Sequence, residues 1–396
     1  MKTMETTDFR GKKALIRVDF NVPLNEAMEV VDDTRIRAAL PTIQRVIEQG
    51  GVPILMSHLG RPSDGYEAKY SLKNITSQLH QLTGAEIVFA EDCIGEVAKQ
   101  ACLKSKHGQI VLLENLRFHP EEKKGDKGFA KALSDLGDIY INDAFGTAHR
   151  AHASTTIVAQ FFPEIKMFGY LMLKELENLN KVLKSPEKPI TAILGGAKIA
   201  GKIEVIKQLM NLVDHIIIGG GMSYTFIKAL GGEIGGSLVD HEKIEVALDI
   251  IERAKNTGVT LHLPVDSIIC QEFSNEMAIQ TVAIDSIPEG WLGLDIGAET
   301  IKLYEEVVAN SQTIVWNGPM GVFEMSNFEM GSKAIATAIA AATSKGAFSL
   351  IGGGDSVSAI NQFGLADQVS YVSTGGGALL EFMEGKSLPG VEAISN

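Results

Sequence analysis

The sequence contains few of the residues that cross-link a chain or anchor it in a membrane. Only three of its 396 residues are cysteines, Cys93, Cys102 and Cys270, and no two of them form a C-x-x-C pair. This pattern argues against a disulfide framework or a zinc cage and indicates a reducing compartment. No uncharged apolar run reaches the ~18 residues of a membrane span, and the N-terminus lacks the apolar run of a signal peptide. We therefore expect a cytoplasmic protein without a membrane partner.

Positive charge is scarce in the second half of the chain. The formal net charge of −13 argues against a nucleic-acid partner or a basic membrane-surface protein. Residues 1–170 carry 21 Lys and Arg against 22 Asp and Glu, whereas residues 171–396 carry 15 against 27. Eight of the nine arginines lie at or before Arg150, and only Arg253 follows. The two halves are therefore expected to have different tasks.

Two familiar nucleotide-binding motifs are also missing. No G-x-G-x-x-G opens a βαβ unit, and no G-x-x-x-x-G-K-[ST] occurs anywhere. The first absence argues against a dinucleotide-dependent dehydrogenase, and the second argues against a P-loop enzyme.

The sequence does contain a regular alternation of short β-branched runs and longer helical patterns. This alternation predicts an α/β fold with two doubly wound, parallel-sheet (Rossmann-like) domains joined by a long helix and hinge. Predicted helices include 34–49, 72–82, 202–212, 241–256 and 333–343, with a connecting helix over 168–183. Predicted strands are 14–20, 52–57, 110–114, 139–142, 190–194, 215–219, 260–263, 313–316, 348–351 and 369–372. The predicted domains are 1–168 and 186–380, with a connector over 169–185 and a C-terminal tail over 381–396.

Glycine is abundant, with 40 residues or about 10% of the chain against a usual ~7%. In the second half it clusters after predicted strands, at residues 195–196, 219–221, 352–354 and 375–377. Loops at these strand ends hold ligands in open α/β sheets, and glycine lets backbone N–H groups approach a phosphate. The alternative is that each cluster only makes a tight strand-to-helix turn.

The first predicted strand ends in a run of polar residues. Alternation along a strand puts Arg17, Asp19 and Asn21 on one face, and Pro23 ends the strand. Three polar groups on a buried face favour a ligand site. The alternative is a structural ion pair between Arg17 and Asp19.

The next predicted helix begins with two arginines. Thr34 is the predicted N-cap, and Arg35 and Arg37 follow it in a first turn where positive charge opposes the helix dipole. We interpret Arg35 as a ligand-binding residue and Arg37 as a solvated or salt-bridged one.

Three further strands deliver basic residues at or just beyond their carboxyl ends. His58 and Arg61 follow the second strand, Arg117 follows the third and Arg150 follows the fourth. Converging arginines bind carboxylate and phosphate groups in a bidentate manner. The sequence therefore predicts an anion site in the first domain.

The second domain carries a different set of phosphate-binding residues. Lys198 and Lys202 follow a strand and precede a helix, where two positive charges are unfavourable unless a phosphate is bound. Asp355 follows a glycine-rich turn, and its carboxylate suits Mg²⁺.

The sequence closely resembles the phosphoglycerate kinase family over nearly its whole length. The resemblance is carried, in the family's order, by RVDFNVP, DDTRIRAALPTI, HLGRP, ENLRF, DAFGTAHRAH, GGAK, WNGPMGVFE, GGGDS and STGGGA. It implies reversible, Mg²⁺-dependent phosphoryl transfer between 1,3-bisphosphoglycerate with ADP and 3-phosphoglycerate with ATP. Transfer would be direct and in line, with closure of the two domains, in a monomer. The alternative function is a two-lobe anion-binding protein without catalysis.

The resemblance also implies a role for individual residues. The N-terminal domain would bind phosphoglycerate and the C-terminal domain the nucleotide. Arg35, Lys198, Gly375 and Gly376 would be catalytic, and Asp355 would bind the metal. The substrate would be held by Asp19, Phe20, Asn21, Arg35, His58, Leu59, Gly60, Arg61, Arg117 and Arg150. The nucleotide would be held by Lys202, Gly293, Glu324, Gly352, Gly353, Gly354, Asp355 and Ser356.

Three positions depart from the family's usual residues. Gly201 stands where the family usually has Asp, Ala298 where it has Pro, and Leu379 where it has Ser. A small residue at position 201 is expected to loosen the placement of Lys202. The resemblance further implies that the C-terminal tail packs back on the first domain.

Overall fold

The computed structural model describes residues 2–63 and 65–395, and the chain divides into two compact units. The first unit contains Met1–Glu177 together with Ser387–Asn396, and the second contains Asn178–Lys386. The division falls within a single helix, Tyr170–Lys184. Each unit has its own parallel sheet and its own hydrophobic core.

The first unit is built around a six-stranded sheet in which all neighbouring strands are parallel. Its strands are β1 (Lys13–Val18), β2 (Val52–Met56), β3 (Glu86–Ala90), β4 (Gln109–Leu113), β5 (Ile139–Asp143) and β6 (Lys166–Phe168). The spatial order β3-β4-β2-β1-β5-β6 places β1 between β2 and β5. These three central strands are buried along almost their whole length, as expected where helices cover both faces of a parallel sheet.

The helices of the first unit bury one apolar face each. In α1 (Thr34–Glu48), the buried residues Ile36, Ala39, Ile43 and Val46 recur three or four positions apart, which is the spacing of one helix face. The helices that follow are α2 (Thr76–Thr83), α3 (Gly95–Lys104), α4 (Pro120–Lys124), α5 (Lys127–Ser134) and α6 (Tyr170–Lys184).

The second unit contains another six-stranded parallel sheet and two smaller sheets. The large sheet has the order β10-β8-β7-β15-β16-β17, which is 3-2-1-4-5-6 when its strands are numbered along the chain. The order reverses between β7 and β15, so that a switch point lies at the carboxyl ends of these two strands. The large-sheet strands are β7 (Ile190–Leu194), β8 (His215–Ile218), β10 (Thr260–His262), β15 (Thr313–Asn317), β16 (Phe348–Ile351) and β17 (Tyr371–Val372), and the others are β9 (Glu233–Ile234), β11 (Asp266–Cys270), β12 (Gln280–Ala283), β13 (Ser286–Ile287) and β14 (Leu292–Ile296).

The smaller sheets are absent from the sequence prediction. β12, β11 and β14 form an antiparallel sheet, and β13 pairs with β9. β12 is largely exposed and two of these strands have only two residues, so that their apolar pattern is too short or too weak to indicate a strand.

The helices of the second unit connect its strands, and one more helix follows in the C-terminal tail. They are α7 (Ile203–Leu209), α8 (Ser223–Ala229), α9 (Ile244–Thr257), α10 (Ala298–Ala309), α11 (Met330–Ser344), α12 (Gly354–Gln362), α13 (Gly377–Met383) and α14 (Pro389–Ser395).

The tail helix α14 belongs to the first unit and is tied to its β5 region. Gly390 N donates a hydrogen bond to Ala148 O at 2.8 Å, and Asn142 Nδ2 donates to Gly390 O at 3.2 Å. A Cβ on Gly390 would lie 3.0 Å from Ala148 Cα, so a side chain at this position would press against the backbone of Ala148.

The fold class predicted from the sequence is confirmed, and several local predictions are wrong. β1 ends at Val18, so Asp19 and Asn21 lie in the loop that follows and not on one face of a strand that continues to Pro23. Thr34 is not the N-cap of α1: it is the first helical residue, after Asp33, and its N and hydroxyl both donate to Asp32 Oδ1. The hydroxyl is therefore used as a donor and does not accept from the helix. The predicted helix over 72–82 is instead a 3₁₀ turn, Leu72–Ile75, followed by α2. Among the described helices, none combines the length and apolarity needed to cross a membrane.

Candidate functional site

Polar and charged residues collect at the carboxyl ends of four strands of the first unit's sheet. In a parallel sheet these ends lie along one edge, where ligands bind in open α/β folds. Arg35 lies in the first turn of α1, and the other residues predicted to hold a substrate lie beyond strand ends. Asp19, Phe20 and Asn21 follow β1, His58, Leu59, Gly60 and Arg61 follow β2, Arg117 follows β4 and Arg150 follows β5.

Asp19 forms the principal ion pair at this edge. The carboxylate is buried, and its Oδ2 accepts a hydrogen bond from Arg35 Nη1 at 2.7 Å. Burial by itself would raise the pKa of Asp19, but the guanidinium groups of Arg35 and Arg17 contribute to holding it below its usual value. Asp19 is therefore ionised at neutral pH and fixes the position of Arg35, whose side chain remains 38% exposed.

His58 is buried beside Asp19 and is neutral at neutral pH. Burial lowers the pKa of His58 well below its usual value, and Arg17 and Arg117 lower it further against the opposing effect of Asp19. The neutral ring places Nδ1 3.3 Å from Arg17 Nη2, so that it can accept a hydrogen bond from this guanidinium.

Gly60 joins three of the loops. Its N donates to Asn21 Oδ1 at 2.7 Å, and its O accepts from Arg117 Nη1 at 2.8 Å. Its φ of +64°, and the ring of Tyr70 at 2.3 Å from the position of a Cβ, both require glycine here. The loops after β1, β2 and β4 are thus held in one arrangement.

Phe20 and Leu59 lie at this edge but point into the hydrophobic core. Both side chains are at most 2% exposed. Phe20 N donates to Ser57 Oγ at 2.8 Å, and Leu59 O accepts from Asn115 Nδ2 at 2.7 Å. The structure therefore assigns their side chains to packing, and not to the polar surface of the edge.

Arg61 and Arg150 are both exposed. Within residues 2–63 and 65–395, neither guanidinium has a hydrogen bond or an ion pair. These two groups can therefore be directed entirely at the oxygens of a ligand.

Arg17 is a further component of the edge, which the sequence analysis placed only in a possible ion pair with Asp19. That pair is replaced by the Asp19–Arg35 pair, and Arg17 is buried with Nε donating to Ser154 Oγ at 2.8 Å. Ser154 Oγ in turn donates to Glu122 Oε1 at 2.5 Å. Ser154 and Glu122 lie far from Arg17 in the sequence and match no motif, so that only the fold reveals this support.

In the second unit, Lys202 lies at the switch point between β7 and β15. Its Nζ donates to Gly195 O at 2.5 Å and to Asn317 O at 2.6 Å, which are the first residue beyond β7 and the last residue of β15. Burial lowers the pKa of Lys202 to about 8, although nearby Asp355 opposes the shift. The ammonium group is thus held by backbone oxygens where a ligand's phosphate is expected.

A cleft of about 450 Å³ opens beside this switch point, within the second unit. Its lining combines backbone without side chains, an apolar wall and two carboxylates. The glycines are Gly196, Gly220, Gly221, Gly236, Gly293 and Gly321, the apolar wall includes Leu238, Phe273, Leu292, Met320 and Val322, and the carboxylates are Glu324 and Asp355.

Gly293 shows why this lining needs glycine. Its N donates to Ser237 Oγ at 2.9 Å, and a Cβ would lie 2.1 Å from Tyr224 Oη. Any side chain at position 293 would therefore displace the Tyr224 ring, which also lines the cleft.

The glycine-rich turn after β16 contributes a single residue to the lining. Asp355 lies in the first turn of α12, is exposed, and borders the cleft, whereas Gly352, Gly353 and Gly354 do not. Ser356 is buried, and its Oγ accepts from Gly318 N at 2.5 Å. Ser356 therefore fixes the turn after β15.

The residues predicted to act on the transferring group lie outside the cleft lining. Lys198 is exposed in the loop after β7, and among the described residues its ammonium group has no hydrogen bond or ion pair. Gly375 N already donates to Ser373 Oγ at 3.0 Å, and Gly376, with a φ of +50°, is the N-cap of α13.

The departures at positions 201 and 379 have different structural consequences. A Cβ on Gly201 would have no atom within 4 Å, so that a larger residue would fit there. Leu379 is fully buried, and its Cδ2 lies 1.8 Å from where a Cβ on Gly352 would be.

The strand orders, the arginine-bearing edge and the glycine-lined cleft define a class, the two-domain α/β proteins that bind anionic small molecules at strand ends. A family profile described as "Phosphoglycerate kinase" matches residues 4–386. The chain belongs to the phosphoglycerate kinase family. It is a glycolytic phosphotransferase, and the alternative of an anion-binding protein without catalysis is not favoured.

Individual relatives agree with this assignment. Proteins named phosphoglycerate kinase from Porphyromonas gingivalis and Chloroherpeton thalassium are 50% and 51% identical to the chain, with 99% or more of each sequence covered. The solved phosphoglycerate kinase structures from Coxiella burnetii and Pyrococcus horikoshii have TM-scores of 0.87 and 0.86 at 39% and 30% identity. Each structural match covers all of this chain and 98% of the solved chain.

Proposed function

We propose that the first unit binds phosphoglycerate at its arginine-bearing edge and that the second unit binds ADP or ATP in the glycine-lined cleft. The observation that carries this proposal is the hydrogen bond between Arg35 and the buried carboxylate of Asp19 at 2.7 Å. The buried carboxylate holds the guanidinium in position, and the exposed part of the guanidinium can donate a hydrogen bond to a ligand oxygen. The exposed guanidinium groups of Arg61 and Arg150 support the same assignment.

The acceptor side of the reaction needs positioning and charge neutralisation. The acceptor group is the carboxylate of 3-phosphoglycerate, which is ionised at neutral pH and requires no general base. Phosphoryl transfer spreads negative charge over the equatorial oxygens of the transferring group, so that preorganised positive groups stabilise the transition state. We assign this role to Arg35 and, on the nucleotide side, to Lys198.

The donor side follows from the lining of the cleft. The apolar wall with Phe273 and Leu238 suits a nucleobase, and the glycine backbone can approach phosphate oxygens closely. Lys202 would pair with these phosphates, and Glu324 would bind at the nucleoside end. We also retain Gly375 and Gly376 as donors to the transferring group. This role requires Gly375 N to exchange its hydrogen bond to Ser373 for one to the ligand.

Asp355 fits a Mg²⁺ ion bound together with the nucleotide. Its carboxylate is exposed at the cleft and has no hydrogen bond or ion pair to another described residue. Mg²⁺ prefers oxygen ligands and is usually held by one or two carboxylates together with substrate phosphates. When bound, the ion would neutralise charge on the nucleotide phosphates.

We further propose that the protein acts as a cytoplasmic monomer and that its two domains close around the bound substrates. The three cysteines are free thiols, as suits a reducing compartment. Light scattering after size-exclusion chromatography would report the mass expected of one chain, and a dimer mass would contradict the monomer proposal.

A coupled assay tests the reaction and a binding experiment tests the site assignment. We expect consumption of ATP that depends on 3-phosphoglycerate and Mg²⁺. Calorimetry on Arg61→Ala and Arg150→Ala should show weaker 3-phosphoglycerate binding with unchanged ADP binding. Lys202→Ala should show the opposite pattern. If both arginine variants bound 3-phosphoglycerate like the wild type, the substrate assignment would be wrong, although the kinase activity itself would stand.

A further inference from the structure

Three side chains of types that can ligate a metal lie close together in the first unit, on residues that have no part in the proposed reaction. Asp92 and Cys93 follow β3, and His119 immediately precedes α4. One ligand atom from each side chain lies within 4.8 Å of the other two. Cysteine sulfur, histidine nitrogen and carboxylate oxygen are the donors that Zn²⁺ takes in proteins.

The three side chains are already held in place by the surrounding structure. Asp92 Oδ1 lies 2.7 Å from His119 Nε2 and accepts a hydrogen bond from Cys93 N at 2.7 Å. The His119 ring packs against the ring of Phe129, with 5.2 Å between the centroids. Cys93 is fully buried, so that neighbouring atoms restrict its thiol. Little ordering entropy remains to be lost when a cation binds.

The cluster is both reachable and electrostatically suited to a cation. The side chains of Asp92 and His119 are 44% and 28% exposed, which opens one side of the cluster to solvent. The carboxylates of Asp92, Glu122 and Glu114 place negative charge near the Cys93 thiol. The same carboxylates favour the arrival of a positive ion.

We propose that Asp92, Cys93 and His119 form a binding site for one thiophilic divalent cation of the Zn²⁺ type, with water as the fourth ligand. Three protein ligands and one solvent position make up the tetrahedral coordination that this ion adopts. On binding, the hydrogen bond between Asp92 Oδ1 and His119 Nε2 breaks, and the thiol proton of Cys93 leaves to solvent. The His119 ring then carries its proton on Nδ1, so that Nε2 can coordinate. The two other cysteines, Cys102 and Cys270, are outside the cluster.

Cobalt absorption spectroscopy on the full chain, in the absence of nucleotide, tests the proposal. One equivalent of Co²⁺ should produce a thiolate-to-cobalt charge-transfer band that added Zn²⁺ abolishes. The band should be absent in Cys93→Ser and retained in Cys102→Ser and Cys270→Ser, which remove matched buried thiols. Zn²⁺ affinity, measured in competition with a chromophoric chelator, should fall at least ~10-fold in His119→Asn and in Asp92→Asn.

Two results would overturn the proposal. One is a wild-type protein without the thiolate band, which would leave Asp92 and His119 as a simple hydrogen-bonded pair. The other is a band that survives in Cys93→Ser. Cobalt bound at the His215–His262 pair, whose ring nitrogens lie 3.2 Å apart, would absorb without the thiolate band. If Cys93→Ser melts at a much lower temperature than the wild type in metal-free buffer, the partly exposed His119→Asn serves as the deciding variant.

Discussion

Leu379 packs directly over the backbone of Gly352, with its Cδ2 at 1.8 Å from the position that a Cβ on residue 352 would occupy. Gly352 lies in the glycine-rich turn after β16, whereas Leu379 lies in the first turn of α13. The leucine that stands at position 379 in place of the family's usual serine therefore packs against the turn proposed to hold the nucleotide.

We expect Gly352→Ala to destabilise the protein by about 1–3 kcal/mol, because a methyl group inserted into a filled space forces its neighbours to move. Urea unfolding measures the loss. Gly354→Ala is the matched control, since a Cβ there would have no atom within 4 Å. The cost of Gly352→Ala should shrink when Leu379→Ala is also present. An equal cost in both backgrounds would show that Leu379 is not the obstacle.

Arg35→Ala is expected to lower kcat by roughly 10²–10³-fold, the usual loss when one preorganised group that stabilises transition-state charge is removed. Steady-state and single-turnover kinetics measure this loss. Arg37→Ala is the control, because Arg37 lies two residues further along α1, its side chain is 60% exposed, and among the described residues it pairs with Asp33. Loss of substrate binding with unchanged single-turnover chemistry at saturation would contradict the role assigned to Arg35.

The affinity for ADP should depend on pH through Lys202. Its pKa of about 8 means that the ammonium is charged below pH 8 and loses its proton above it. We expect ADP affinity to be constant below pH 8 and to fall as the pH rises further, because the neutral amine no longer attracts the phosphates. Calorimetry from pH 6.5 to 9.5 measures this. Lys202→Met should bind ADP weakly at every pH, and a parallel fall in this variant would assign the titration to another group.

From the buried carboxyl group of Asp143 we expect a second pH dependence, that of the free energy of unfolding. Burial raises its pKa to about 7, although hydrogen bonds including one from Met172 N at 3.1 Å oppose the shift. Oδ2 is buried and has no hydrogen-bond partner among the described residues. Because its folded-state pKa is raised, the contribution of Asp143 to stability is largest below the unfolded pKa of ~3.9 and declines until the pH passes 7.

Chemical denaturation of wild type and Asp143→Asn from pH 4 to 8 checks this linkage. The amide does not titrate, so that the stability difference should move in favour of the variant as the pH rises from 4 to 7. The change should be at most about 1.4 kcal/mol per pH unit and should level off above pH 7. A constant difference over this range would mean that Asp143 stays ionised in the folded protein.

Much of the fold could be predicted because its signals are local. The predicted strands 190–194 and 348–351 coincide with β7 and β16, because a short β-branched run bounded by turns can be recognised from a few consecutive residues. The antiparallel strands β11, β12 and β14 were missed because their pairing joins segments whose burial is decided by distant neighbours.

The residues of the candidate site also differ in whether a local sequence signal reveals them. Arg35, Arg61, Arg117 and Arg150 stand out in the sequence because each follows a strand end or opens a helix. The apolar wall with Phe273 and Leu238 carries no such signal, since these residues lie in unrelated loops and border the cleft only in the folded chain.

The sequence by itself determined the α/β class, the gathering of arginines in the first half and the family, because these depend on residue order and composition. Only the tertiary structure decided which charges meet. It paired Asp19 with Arg35 and not with Arg17, held Lys202 between two strand ends, and turned Phe20 and Leu59 into the core. Such contacts depend on distances between segments far apart in the chain, which are set when the strands align and bury their apolar faces together.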